Sequence, residues 1–411
     1  MTRNRLASRS FILSLGSAVA SAFNFYTYVF LPSLVGPASL DHFVRANYLG
    51  GLYIFGIGSS VSPIAIFVLA AGKRPALRRY VIVSALGAAV ILLGGQWLLL
   101  PPWSYFCFLG AICMHANGFF FAALIRDGRA ITATCAQMVQ PFLFASFVSL
   151  KTFRFSVLPD WSVLYLISAI LGLAAYTMIA DLRGIRETVG LRATETIGWF
   201  GILSRVAFCV SFPLFFQLEL ILCGRWSTVN VGVYAMLQKL YASISISLFG
   251  AIGVHLLSKH LEEKPGRKRL VDLESTSLAG ISAMCTPVVG FAVLLFTHGG
   301  KGLNSHLVIA SAFVAFLFTI CSFVGLRLSA ARPLLGLEFF GTALALYLVS
   351  FAILRPATAG GFLFLASIFF GSFLCFALCS DFLGLSTATL LGLRPRTIYP
   401  APENNGLDTE P

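Results

Sequence analysis

The chain has 411 residues, of which 58% are hydrophobic and 11% are charged, and its formal net charge at pH 7 is +13. A soluble globular domain carries about 25% charged residues, so this composition excludes a soluble enzyme or binding domain and predicts a polytopic membrane protein. The nine cysteines form no C-x-x-C pair and fall within or beside apolar runs, so we predict no disulfide framework and no metal site.

Twelve apolar runs are long enough to cross a bilayer, which takes about 20 residues. In chain order they cover 10–35, 46–71, 80–100, 103–125, 130–150, 161–180, 197–223, 229–257, 276–298, 305–326, 334–354 and 361–385. We therefore predict an all-α integral membrane fold with about twelve transmembrane helices.

Lysine and arginine are distributed unequally between alternate loops. The side that holds the N-terminus carries 21 of them, and the other side carries six. Because cytoplasmic loops are enriched in these residues, we expect both termini to be cytoplasmic. The positive net charge then follows from topology, and no nucleic-acid partner is needed to explain it.

The runs divide into two groups of six. We expect an N-terminal six-helix bundle at 1–180, a cytoplasmic linker at 181–196, a C-terminal bundle at 197–385 and a cytoplasmic tail at 386–411. A faint repeat relates 34–53 to 222–241. Both bundles start on the same side, so they would be related by an axis along the membrane normal, with a central cavity between them.

Three charged residues lie deep within runs: Arg205 and Glu219 in the seventh and Lys239 in the eighth. A charge at the bilayer centre costs about 2.5–3.5 kcal/mol even on lenient scales, so such residues usually face a cavity or a partner. Arg205 and Glu219 are fourteen residues apart and share a helix face, with Lys239 at an intermediate depth. We favour a water-filled cavity over a purely structural ion pair, and a Lys239–Glu219 pair remains an alternative.

Other polar residues complete the predicted substrate-binding set. In the eighth run, Tyr234, Gln238 and Tyr241 form one line at helical spacing, and Ser243 follows Lys239 by one turn. Serines also suit ordinary helix packing. No catalytic arrangement and no cofactor are predicted. The candidates from the first half of the chain are Asn24, Arg45 and Asn47.

Two segments carry a resemblance to a known family. "LELILCGRWSTVNVGVYAMLQKLYASI" (218–244) and, more loosely, "LVGPASLDHFVRANYLGGLYIFGIGSS" (34–60) resemble the Wzx-type oligosaccharide-lipid flippases of the multidrug/oligosaccharidyl-lipid/polysaccharide exporter superfamily. Members of that family usually have an aspartate where this chain has Glu219. They often have a further glycine in the first-half segment, which this chain lacks.

The resemblance implies a carrier of the bacterial cytoplasmic membrane and not an enzyme. Such proteins move a polyprenyl-pyrophosphate-linked oligosaccharide to the outer leaflet by alternating access between two bundles, for surface or exopolysaccharide biosynthesis. It implies that Arg205 and Lys239 contact the pyrophosphate, and that Glu219 either neutralises Lys239 or carries a coupling ion. Proton and sodium both remain open as that ion. The expected partners are the lipid-linked substrate, membrane lipid and other polysaccharide-assembly proteins.

Two other classes of function fit the same layout. A drug or cation antiporter of the same superfamily should favour deep carboxylates over deep amines, and this chain leans the other way. A membrane-embedded glycan polymerase or ligase commonly carries a long outer loop. The longest outer loops predicted here, near 36–45 and 151–160, are short.

Overall fold

The computed structural model describes residues 15–16, 18–57, 84–94, 102–126, 129–179, 199–245 and 273–383. Within these ranges the regular structure is entirely helical. Seven of the described helices are long and apolar enough to cross a membrane, so the chain is a multi-pass membrane protein that is all-helical in the part the structure describes. The predicted linker, the predicted tail and parts of the second, third and eighth runs lie outside the described residues.

Seven described helices precede residue 180. They are α1 (Ala18–Val35), α2 (Ala38–Ala46), α3 (Tyr48–Gly56), α4 (Ser84–Gly94), α5 (Trp103–Arg126), α6 (Ala130–Phe153) and α7 (Trp161–Ile179). One turn of α1, Tyr26–Phe30, is π-helical. Helix α5 packs on α3 and α7, and α6 packs on α7.

Six described helices follow residue 198. They are α8 (Trp199–Trp226), α9 (231–245), α10 (Leu273–Phe296), α11 (Ser305–Ala331), α12 (Pro333–Leu354) and α13 (Ala359–Leu383). Helix α11 packs on α10 and α13, and α12 packs on α13. Helix α8 packs on α12 and also on α3 of the first half, so it joins the two parts of the chain.

A ladder of phenylalanines fixes the position of α8. Phe208, Phe212 and Phe215 lie on one face of the helix, and Phe215 stacks on Phe369 of α13 with ring centroids 3.6 Å apart. The next position on that face, one turn further on, is Glu219. The packing of the apolar face therefore carries a carboxyl group into the interior.

The segment 36–45, which the hydropathy pattern indicates as a loop, is mostly the short helix α2. Its buried side chains include Leu40 and Phe43, at the three-residue spacing that places them on one helix face. Asp41 and Arg45 are four residues apart, and Arg45 Nε donates to Asp41 Oδ2 at 2.8 Å. A nine-residue amphipathic helix is too short to register in a search for membrane spans.

Helix α2 and the turn between α8 and α9 meet at what we call the hairpin end. Arg45 Nη1 donates to the Gly224 carbonyl at 2.6 Å. The Gly232 backbone N–H donates to Asp41 Oδ1 at 3.2 Å. Gly232 lies in the first turn of α9, so a carboxylate from the first half of the chain caps a helix of the second half, where negative charge is stabilising.

Further hydrogen bonds also cross between the halves near this end. The Lys301 backbone N–H donates to the Ser33 carbonyl at 2.8 Å, and the Tyr48 hydroxyl donates to the Leu220 carbonyl at 3.2 Å. The two halves are therefore closed against each other at the hairpin end.

We expect Gly232→Ala to disrupt this closure. A Cβ at this position would lie 2.7 Å from the Pro37 carbonyl oxygen and 2.8 Å from the Asp41 backbone nitrogen. Backbone atoms do not yield as a side chain would, and overpacking typically costs about 1–3 kcal/mol. The melting temperature of the detergent-solubilised protein should fall by several degrees.

Gly341→Ala is the matched control, because a Cβ there would meet nothing within 4 Å and alanine favours helix over glycine. Equal melting temperatures for the two variants would contradict the tight contact at Gly232.

Candidate functional site

Helix α9 presents two sets of polar side chains in different directions. Tyr234, Gln238 and Tyr241 lie on the face turned into the second half of the chain, and all three are buried. Lys239 is one residue beyond Gln238, which rotates it by about 100° around the helix. Its side chain is half-buried and turns towards α1. The two sets therefore belong to two separate environments.

The first environment is a buried carboxyl group, Glu219, which is 0% exposed. Gln238 Nε2 donates to the Phe216 carbonyl at 3.0 Å and also contacts Glu219 Oε2 at 3.4 Å. Glu219 Oε1 has no hydrogen-bond partner among the described residues. One carboxyl oxygen is therefore free to receive a proton, an ion or a water molecule.

Three buried hydroxyl groups surround this carboxyl group. Those of Tyr234 and Tyr347 lie beside Glu219, and that of Tyr241 lies close to Tyr234. None of the three makes a hydrogen bond of good geometry with the described residues. We call Glu219, Tyr234, Gln238, Tyr241 and Tyr347 the Glu219 cluster.

The Glu219 cluster contains four buried oxygen atoms that make no hydrogen bond of good geometry within the described residues. A buried polar atom without a partner costs about 1–3 kcal/mol, and here four such atoms lie together. No lysine or arginine among the described residues pairs with Glu219, since the side-chain ion contacts in these ranges are His42–Asp160 and Arg45–Asp41. A carboxylate enclosed in this way needs a compensating proton or cation.

The second environment belongs to Lys239. Its Nζ lies 5.1 Å from the centroid of the Tyr28 ring, which comes from α1 of the first half. Within the described ranges it forms no ion pair with Glu219 or with any other carboxylate. The attraction of a cation to an aromatic face does not neutralise the charge, so Lys239 can still bind an anion in place of the ring.

The remaining predicted residues lie in several places. Arg205 is in α8, and its side chain lies outside what the structure describes. Ser243 is half-buried one turn after Lys239, and Asn24 is half-buried one turn before Tyr28. The other two predicted residues belong to the hairpin end.

Those two are Arg45 and Asn47. Arg45 bridges Asp41 and Gly224. Asn47 follows α2, and its Oδ1 is buried without a hydrogen-bond partner in the described residues. These two predicted residues therefore lie where the halves are closed.

Sequence reasoning missed Tyr28, Tyr347 and Arg327. The two tyrosines lie in apolar runs far from α9 along the chain, and no local pattern indicates their contacts. Arg327 was placed in a cytoplasmic loop, but α11 continues to Ala331, so this arginine is inside a helix and only 5% exposed. It interacts with another group, so this buried arginine is not a free cation.

Comparison of the chain with protein-family models, curated proteins and solved structures found no match. Membership of the Wzx-type family therefore remains a prediction that rests on segments 218–244 and 34–60.

We expect Glu219→Gln to leave the fold at least as stable as the wild type, because an amide of the same shape needs no compensating charge. Glu219→Ala should lower stability by about 1–3 kcal/mol, because it opens a cavity and removes a partner of Gln238. Thermal melting of the purified protein measures both. If the glutamine variant lost as much stability as the alanine variant, the carboxylate would be bonded to a cation in the resting protein.

Proposed function

We propose that this protein moves a polyprenyl-pyrophosphate-linked oligosaccharide across a bacterial cytoplasmic membrane by alternating access. The observation that carries the proposal is Lys239, a half-buried cation between the two halves of the chain that is held by a ring and not by a carboxylate. A cation that is enclosed but not neutralised suits an anionic ligand that comes and goes.

The chemistry of a pyrophosphate headgroup matches this arrangement. Lysine acts as a mobile point charge towards phosphate oxygens, and arginine offers a planar fork that binds two of them. Arg205 belongs to α8 and lies fourteen residues before Glu219, about 21 Å further along the helix from the hairpin end. In this proposal Lys239 and Arg205 bind the headgroup in turn as it passes through.

The closed hairpin end supports alternating access. The count of basic residues puts that end outside the cytoplasm in the proposed twelve-helix topology, with both termini inside. The hydrogen bonds of Arg45 and Asp41 across the halves then hold the outer side shut. In the proposed cycle the substrate enters from the cytoplasmic side in this state.

The Glu219 cluster supplies a place for the coupling ion. A single buried carboxyl group is balanced by one positive charge, which a proton or a sodium ion can provide. Glu219 Oε1 and the neighbouring hydroxyls of Tyr234 and Tyr347 are the atoms that would receive it. We therefore assign coupling to Glu219 and headgroup binding to Lys239 and Arg205.

A second candidate function rests on the same cluster. A buried carboxyl group ringed by tyrosines also suits an organic cation, as an antiporter of drugs would require. In that case Glu219 binds the substrate and Lys239 does not. The two functions thus assign opposite roles to these residues, and substitution separates them.

We expect Lys239→Ala and Arg205→Ala each to abolish translocation while the protein still accumulates in the membrane. The assay uses proteoliposomes that contain the lipid-linked oligosaccharide and follows access of a membrane-impermeant lectin to the sugar. Lys151→Ala is the control, because Lys151 is a half-buried lysine that donates to the Leu158 carbonyl and belongs to neither proposed site. The antiporter would be favoured if both variants translocated the lipid-linked sugar at the wild-type rate and Glu219→Gln abolished drug efflux.

We expect Glu219→Gln to remove the response of transport to an imposed ion gradient, since the amide does not exchange a proton and binds a cation weakly. Imposing a proton gradient and a sodium gradient separately identifies the ion. A glutamine variant that still responds to a gradient as the wild type does would contradict the assignment of coupling to Glu219.

A further inference from the structure

Two kinds of contact tie the halves of the chain together. At the hairpin end the ties are directional hydrogen bonds to backbone atoms, as in Arg45 to the Gly224 carbonyl and Gly232 N–H to Asp41. Further along α9 the tie is the charge of Lys239 over the ring of Tyr28. Lys239 is seven residues beyond Gly232, which is about 10 Å along the helix. This second tie lacks a hydrogen bond.

The ring of Tyr28 sits in a part of α1 that departs from regular α-helix. Its turn, Tyr26–Phe30, is π-helical, and π-helical turns are frequent at functional sites. On either side, Thr27 Oγ1 donates to the Phe23 carbonyl and Ser33 Oγ donates to the Val29 carbonyl. Such back-bonding slightly destabilises and often bends helices, so α1 can deform at the residue that meets Lys239.

A phosphate group and the Tyr28 ring would compete for the same ammonium group. A charge-assisted hydrogen bond to phosphate is stronger than the attraction of an ammonium to a neutral ring. The ring approaches Lys239 from α1, and the Lys239 residue as a whole is half-buried. Binding of an anion there and retention of the ring contact therefore oppose each other.

We propose that the Tyr28 ring occupies the headgroup site at Lys239 while no anion is bound. Binding of a phosphate group to Lys239 then displaces the ring and releases α1 from α9. This inference rests on the proposed function, because it takes the headgroup phosphate as the ligand of Lys239. The two effects are reciprocal. If the ring contact lowers the affinity of Lys239 for the anion by some factor, the bound anion lowers the equilibrium constant of the ring contact by the same factor. Occupancy of the site and separation of α1 from α9 are thereby coupled.

The test compares Tyr28→Leu with Tyr28→Phe in the full-length protein in detergent, with inorganic pyrophosphate as the probe. Removing the ring should tighten pyrophosphate binding about 5- to 30-fold. Tyr28→Phe keeps a ring at the same place and should stay within about twofold of the wild type. Unchanged or weaker binding in Tyr28→Leu would overturn the proposal.

A measurement on the wild type guards against a variant that fails to fold. Adding pyrophosphate should speed hydrogen exchange of backbone amides in 26–35 and 231–241, and Lys239→Met should lose that response. Exchange that is unchanged or slowed by pyrophosphate in the wild type would contradict release of α1 from α9.

Two further measurements distinguish a free phosphate from a lipid-linked one, and failure of the proposed function from failure of the displacement. Repeating the binding measurement with polyprenyl pyrophosphate in nanodiscs tests whether the lipid-linked form competes with the ring as the free anion does. Suppose that removing the ring tightens binding of inorganic pyrophosphate but the wild type moves no lipid-linked sugar. The proposed function then fails, and the displacement of Tyr28 by the anion stands. If transport is intact and Tyr28→Leu changes neither affinity nor exchange, the displacement alone fails.

Discussion

A charge enclosed by apolar helices has to be compensated, and the kind of compensation differs between the charges of this molecule. Asp41 and Arg45 neutralise each other, and each then bonds to the backbone of the other half of the chain. Those two charges are paired and hydrogen-bonded, and they hold the two halves together. Glu219 has an amide and hydroxyl groups for neighbours, and Lys239 has an aromatic ring. Neither of these meets a full opposite charge within the described residues, so they keep the capacity to take up a proton, an ion or a phosphate group.

Helix α9 connects these two unsaturated charges mechanically. Its N-terminus is capped from the first half of the chain by Asp41. One face carries Tyr234, Gln238 and Tyr241 of the Glu219 cluster, and the next face carries Lys239. A shift of α9 relative to α1 changes the surroundings of Lys239, and a shift relative to α8 and α12 changes those of Glu219. A shift of α9 as a rigid element therefore changes the surroundings of both sites at once.

The parts of the structure that could be predicted from the sequence are those that local spacing determines. Seven of the twelve long apolar runs correspond to described helices that are able to cross a membrane, since a backbone in lipid must satisfy its own hydrogen bonds. The spacing of Tyr234, Gln238 and Tyr241 correctly placed them on one face. The same geometry shows that Gln238 and Lys239, about 100° apart, do not both face Glu219. Tyr28 and Tyr347 escaped prediction because they reach α9 only through tertiary packing, and α2 escaped because nine residues resemble a loop in a search for spans.

The choice of a ring as the partner of Lys239 fits a carrier better than a carboxylate would. A buried ion pair is strongly destabilised when one partner is withdrawn, so an incoming phosphate would have to leave a bare carboxylate behind. A displaced tyrosine leaves no uncompensated charge. The attraction is also weak enough for the exchange to run in either direction, and a transported anion has to be released as well as bound. Glu219 contacts a different face of α9, through Gln238. Its carboxyl group is therefore in contact with α9 and yet separate from the amine of Lys239.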